Sequence, residues 1–178
     1  MNVPNTITVL RILMVPGFTI CLLYDRLLLA LLVFAAAGLS DALDGLLARA
    51  FNQKTPLGAY LDPIADKLLL NTAFVSLAVL TIIPSWLAVL VLARDVIILL
   101  GFLVLLMTSH RVEVRPTFTS KANTTFQIVT ITAALLAPYC GTVERLLNIM
   151  VWATGALTCV SGLQYIRKGG RIINDKGV

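Results

Sequence analysis

Long apolar stretches alternate with short polar segments along almost the whole chain. The first covers about residues 7–23, and Asp25-Arg26 closes it in a tight turn. The second runs over residues 27–40 without a charge and continues helically into Asp41-Ala42-Leu43-Asp44-Gly45. Residues 49–56 read as a polar loop. Residues 68–93 hold no charge but are followed closely by Arg94, and Pro84-Ser85 interrupts the apolar run. Proline disfavours helix in the residue before it, and tryptophan such as Trp86 prefers the membrane interface. The spacing therefore predicts two helices, about 63–83 and 85–108. Two further uncharged stretches cover residues 122–143, reaching Pro138 near the end, and 146–166. A transmembrane helix needs roughly 20 apolar residues. The pattern predicts an all-α polytopic membrane protein of six transmembrane helices, organised as one domain over residues 1–178. No small-residue cleavage site follows the run that starts at Ile12, so the first helix is expected to be retained rather than removed as a signal peptide.

Composition supports this picture. The 178 residues are 58% hydrophobic and 13% charged, with mean hydropathy +0.92. Soluble domains run at about 45–50% apolar and about 25% charged. A disordered chain, a soluble enzyme domain and a disulfide scaffold are excluded. The net charge of +5 would hint at nucleic acid in a soluble protein, but in a membrane protein it reads as basic loops facing the cytoplasm and anionic lipid. With six spans, ten Lys and Arg, Arg11 among them, fall on the side of the termini, against Arg26 and Arg145 on the other. Both termini are therefore expected in the cytoplasm. Cys21, Cys140 and Cys159 lack metal spacing and read as small apolar residues.

The scarce acids are the informative residues. Asp41, Asp44, Asp62, Asp66 and Asp95 sit in or at the ends of apolar helices. A charge near the bilayer centre costs about 2.5–3.5 kcal/mol on insertion scales, so such residues are usually functional. Asp41 and Asp44 are spaced i,i+3, and Asp62 and Asp66 i,i+4, so each pair shares a helix face. Capping or interfacial solvation accounts for one acid at a helix end, but poorly for two pairs with helical spacing. Four converging carboxylates need cations, and hard oxygen ligands suit Mg²⁺, Mn²⁺ or Ca²⁺. Two divalent ions balance four negative charges and clamp the attacking and leaving oxygens of a phosphoryl-type transfer. Gly45 and Gly58 let a ligand approach the backbone closely, and Arg49 is placed to meet phosphate oxygens. The rival class is a cation or proton transporter, which also buries carboxylates but predicts broken helices and repeated halves.

The segment from Asp41 to Asp66 has the form D-x2-D-G-x2-A-R-x8-G-x3-D-x3-D, eight fixed residues over 26 positions. It resembles the signature of the CDP-alcohol phosphotransferases, and the likeness extends over Asn2-Val3-Pro4-Asn5, Arg11-Ile12, Lys67 and Arg94. The resemblance implies a six-helix membrane fold, commonly a homodimer, with its active site at the cytoplasmic face of the inner or plasma membrane. It implies displacement of CMP from a CDP-linked lipid, here CDP-diacylglycerol, by an acceptor hydroxyl, with two divalent cations, Mg²⁺ or Mn²⁺, as cofactors. Carried over, Asp41, Asp44 and Asp62 hold one metal, and Asp41, Asp62 and Asp66 the second. Gly45, Ala48, Arg49 and Gly58 line the nucleotide site, and Asp66 is the general base, which must lie within hydrogen-bond reach of the acceptor proton.

Around the motif, Lys67 either snorkels to the interface or offsets carboxylate charge. Arg94 is expected to face the bundle interior and, with Lys121 and Arg111 or Arg115, to form an anion pocket for the acceptor. Arg94 and Asp95 are adjacent, share no helix face and need not pair. His110 reads as a surface residue, and Trp86 and Trp152 as interface or packing residues.

Within the family the chain looks like the branch using glycerol-type acceptors. By frequency, the first expectation is glycerol 3-phosphate, giving phosphatidylglycerophosphate; the alternative is phosphatidylglycerol, giving cardiolipin. Members using glycerol 3-phosphate commonly carry Arg-Glu in the fourth helix and Gly-Lys-x-Lys-Thr entering the fifth. This chain has Arg94-Asp95 and Ser120-Lys121-Ala122-Asn123-Thr124, followed by Gln127. A monoester carries nearly two negative charges, a diester one, and the neutral Asn123 leans toward the diester.

Overall fold

A computed structural model describes the backbone of residues 3–50, 56–107 and 118–174, with side chains for residues 10–40, 66–101 and 118–167. Among the described residues all regular structure is helical, in six helices: α1 (Val3–Leu23), α2 (Leu27–Ala50), α3 (Pro56–Val79), α4 (Ser85–Met107), α5 (Phe118–Leu136) and α6 (Gly141–Asn174). A short 3-10 turn, Ala137–Tyr139, joins α5 to α6.

Several boundaries differ from the sequence expectation. The first helix begins at Val3 rather than near residue 7, and it runs through Pro16. The third begins at Pro56, seven residues before Pro63. Proline is pre-organised for the first turn of a helix, where its missing N–H is not needed, and Pro56 takes that place. Pro63 lies inside α3, a position membrane-type bundles tolerate because neighbouring groups satisfy the freed carbonyl. Arg49, expected in a loop, lies on α2. The break at Pro84 is as expected, with α3 ending at Val79 and α4 starting at Ser85.

The corner between α1 and α2 is closed by backbone bonds: Tyr24 N donates to Ile20 O at 3.1 Å, and Arg26 N to Cys21 O at 2.8 Å. Asp25 sits in the left-handed region at φ 56, which Asp tolerates better than most residues. This is the left-handed helix terminus that satisfies orphan carbonyls.

The helices pack in a closed ring. α1 lies against both α2 and α3, α3 against α4, α4 against α6, α6 against α5, and α5 against α2; α5 also touches α3 across the middle. On α2 the buried residues Leu27, Ala30, Phe34 and Ala37 recur at helical spacing. The Phe34 ring meets Phe18 of α1 with centroids 5.9 Å apart. Small residues, Ala30, Ala37, Ala73, Ala88 and Ala134, are almost fully buried and let helices approach closely.

The outside is as apolar as the inside. Leu13, Leu23, Val89, Leu99, Ile149 and Trp152 are each more than 60% exposed. The buried polar residues include Arg11, Arg94, Asn123, Gln127, Thr154 and Ser161. A continuous apolar exterior of this kind marks a surface that meets lipid or a partner rather than water. Among the described residues, Gly141–Arg167 is both long and apolar enough to cross a membrane; Leu10–Leu23 and Leu27–Ser40 are shorter apolar helical segments.

Candidate active site

The signature residues fall on two helices. Asp41, Asp44, Gly45, Ala48 and Arg49 lie on α2, and Gly58, Asp62 and Asp66 on α3. The side chains of the first seven lie outside the described residues, as do Arg111, Arg115 and His110. α2 and α3 run unbroken through their aspartates, unlike the interrupted helices of the transporter alternative.

The side chain of Asp66 is among those described. Arg11 Nη1, from α1, donates to Asp66 Oδ1 at 2.9 Å. The Arg11 side chain is 1% exposed and that of Asp66 43%, so the carboxyl is gripped from inside the bundle while keeping an open face. Arg11, counted among the basic residues on the side of the termini, lies in the third turn of α1 and is a buried partner of the motif. The available signal was a lone arginine inside an uncharged helix.

Lys67, the next residue of α3, turns to a different neighbour: its Nζ donates to Asp95 Oδ1 of α4 at 2.5 Å. The same oxygen accepts from Arg94 Nη1 at 2.8 Å. Arg94 and Asp95 therefore pair, a contact that their adjacency on the helix left open. Adjacent Cβ atoms point 100° apart on a helix, but the long arginine side chain can curl back to its neighbour. For Lys67, the contact decides in favour of charge offset, directed at Asp95.

Arg94 faces the bundle interior as expected and is 4% exposed. It continues the buried face of Leu87 and Val91 on α4. Its Nη2 donates to Ser120 Oγ of α5 at 2.6 Å and to Ser161 Oγ of α6 at 2.9 Å. The guanidinium also lies over the Tyr165 ring, 5.8 Å from its centroid. These contacts engage Arg94 in joining α4, α5 and α6. Lys121, by contrast, is exposed.

Deeper in the α5–α6 seam the polarity is uncharged. Thr158 Oγ1 donates to Asn123 Oδ1 at 2.9 Å, and the Thr130 and Thr154 hydroxyls are 2.8 Å apart. Asn123 and Gln127 are fully buried. Asn123 therefore looks into the seam.

Carboxylate oxygens are the donors that suit a hard divalent cation, and among the described residues no group of three or more His, Cys, Asp or Glu side chains comes together. Asp66 presents a partly open carboxylate, and the remaining aspartates lie on α2 and α3 at corresponding distances from the short connection between these helices. Asp44 precedes the end of α2 by six residues and Asp62 follows the start of α3 by six, about 9 Å of helix in each case.

Among the described residues the chain is an all-helical bundle with an apolar exterior and two acid-bearing helices, and comparison with known proteins gives its family. The profile of the CDP-alcohol phosphatidyltransferases matches residues 1–160, and the chain belongs to that family. It is 32% identical over 194 residues to a cardiolipin synthase (CMP-forming) of Homo sapiens, covering 98% of this chain and 64% of that protein. It is 35% identical to a probable phosphatidylglycerophosphate synthase of Mycobacterium tuberculosis, covering 97% of this chain and 83% of the relative. A CDP-diacylglycerol–glycerol-3-phosphate 3-phosphatidyltransferase of Bacillus subtilis is 31% identical, with 94% of each chain covered. The chain thus spans just under two thirds of the human and rat cardiolipin synthases it matches.

Proposed function

We propose that this protein transfers a phosphatidyl group from CDP-diacylglycerol to a glycerol-type acceptor and releases CMP. The observation that carries the reading is the complete aspartate signature, Asp41 to Asp66, within a family match over residues 1–160. Relatives on both sides of the acceptor question are named for transfer to glycerol 3-phosphate or for cardiolipin synthesis.

Asp41, Asp44 and Asp62 would hold one divalent cation, Mg²⁺ or Mn²⁺, and Asp41, Asp62 and Asp66 a second. When bound, the cations neutralise the diphosphate and stabilise the leaving phosphate. The protein residues do the rest. Gly45, Ala48, Arg49 and Gly58 bind and orient the cytidine nucleotide. Asp66 takes the proton of the acceptor hydroxyl as its oxygen forms the new bond to the phosphatidyl phosphorus. The bond from that phosphorus to the CMP oxygen breaks, and CMP departs with the electron pair. Lys121, with Arg111 or Arg115, offers charge to an anionic acceptor, and Arg94 supports that end of the bundle through Asp95, Ser120 and Ser161.

Six membrane spans, both termini and the aspartates on the cytoplasmic side, and a homodimer complete the reading. The apolar exterior and the basic residues on the side of the termini support it.

Glycerol 3-phosphate leads as acceptor. The second reading, phosphatidylglycerol as acceptor, draws support from Asn123, neutral and fully buried against α6, and from the engagement of Arg94 in internal contacts. Thin-layer separation of the products formed with each acceptor tests both. Phosphatidylglycerophosphate formed from glycerol 3-phosphate, with no cardiolipin from phosphatidylglycerol, supports the leading reading. The reverse outcome moves the assignment to cardiolipin synthesis. Cation flux in proteoliposomes without CMP release would overturn phosphatidyl transfer.

A further inference from the structure

Asp66 and Lys67 are consecutive residues of α3 held by different helices. Arg11 of α1 donates to Asp66, and Asp95 of α4 accepts from Lys67. Lys67 pairs with α4, while Arg11 of α1 sets a buried cation against Asp66. Arg11 lies outside the aspartate signature, in the third turn of a helix that packs between α2 and α3. Its guanidinium is almost fully buried, while the Asp66 carboxyl is nearly half open.

We propose that Arg11 is a positioning residue, which fixes the orientation of the Asp66 carboxylate toward the divalent cation and the acceptor hydroxyl. This rests on the reading of Asp66 given above and adds a residue from the first helix to the machinery. The chemistry fits the residue type. Arginine stays charged at any working pH, and its planar fork fixes the direction of a bond to a carboxylate; lysine keeps the charge but loses the fork. Partners that orient metal-ligating carboxylates are typically worth 10–100-fold in metal affinity or activity. A pair that merely tied α1 to α3 would affect unfolding alone and leave metal affinity unchanged in any variant that folds.

The test uses the full chain in detergent micelles with Arg11→Met and Arg11→Lys. Mn²⁺ binding is read from the electron paramagnetic resonance signal of the unbound ion, alongside kcat and the KM for CDP-diacylglycerol. Arg11→Met is expected to weaken Mn²⁺ binding and lower kcat by roughly 10–100-fold each, with KM changed by less than about threefold, since the lipid is not the group being oriented. Arg11→Lys is expected to recover part of both losses. Thermal unfolding reports whether each variant folds, and Arg11→Lys, which keeps the buried charge, carries the comparison if Arg11→Met does not. Unchanged Mn²⁺ affinity and kcat in a folded variant overturn the positioning role alone. Weakened Mn²⁺ binding in the variants, with no CMP release even by the unsubstituted chain, supports the role and overturns phosphatidyl transfer. An unsubstituted chain that binds no Mn²⁺ overturns the positioning role.

Discussion

Asp95 is the hinge of the charged tier: one oxygen accepts from both Lys67 of α3 and Arg94 of its own helix. The aspartate motif itself was legible in the sequence because charge is so scarce in this chain that two helically spaced pairs stand out. Its neighbours were harder to read. Helical spacing gives the direction of each Cβ, whereas the Arg94–Asp95 contact depends on where a long side chain folds back. Arg11 was legible as an oddity, a cation inside an apolar run, but its partner lies 55 positions away and no local pattern links the two. The internal role of Arg94 leads to a prediction. Removing one member of a buried charged pair typically costs about 3–5 kcal/mol, because the other is left uncompensated. Arg94→Met is therefore expected to lower the thermal unfolding midpoint sharply. Arg94→Lys should fall between, since it restores charge without the fork that reaches Ser120 and Ser161. A midpoint unchanged in Arg94→Met would show that the tier does not hold the helices together.

At the level of the elements, helix count and order followed directly from the spacing of uncharged runs, and the start of α3 did not. The expected helix began at about residue 63, but α3 starts at Pro56 and carries Pro63 inside it. The packing of α4 on α6 was likewise invisible, although both tryptophans were singled out. Trp86 and Trp152 lie with ring centroids 5.2 Å apart. A Cβ built on Gly155 would stand 2.8 Å from the Trp86 ring, closer than any real contact, so glycine is what lets the indole lie on α6. Overpacking costs about 1–3 kcal/mol and alanine in the helix interior recovers about 1 kcal/mol, so Gly155→Ala is expected to destabilise the bundle by about 0–2 kcal/mol. Adding Trp86→Leu should give back much of that loss. Thermal unfolding of the two single variants and the double variant checks this; strictly additive effects would contradict the contact, since residues that touch are expected to couple.

For the whole molecule, the closed ring places α1 between α2 and α3 on one side, while α5 reaches both on the other. The two aspartate-bearing helices are thus bounded by α1, which carries Arg11, and by α5, an arrangement that periodicity alone could not supply. The high apolar content agrees with an exterior that carries leucines as the core does, while Arg11, Arg94, Asn123 and Gln127 lie within. The proposed topology puts the corner between α5 and α6 opposite the aspartates. Cys140 sits in that corner and is exposed. With Cys21 and Cys159 replaced by alanine, a membrane-impermeant maleimide should label Cys140 from the outer face of intact cells; labelling only after permeabilisation would invert the orientation. The central claim, that the aspartates form a divalent-metal phosphatidyltransferase site, is tested most directly by CMP release from CDP-diacylglycerol by the purified chain. The account predicts release that requires Mg²⁺ or Mn²⁺ and a glycerol-type acceptor, and that falls by about 10²–10⁴-fold in Asp66→Asn, the range expected for losing a general base. Metal-independent release, or normal turnover by Asp66→Asn, would contradict it.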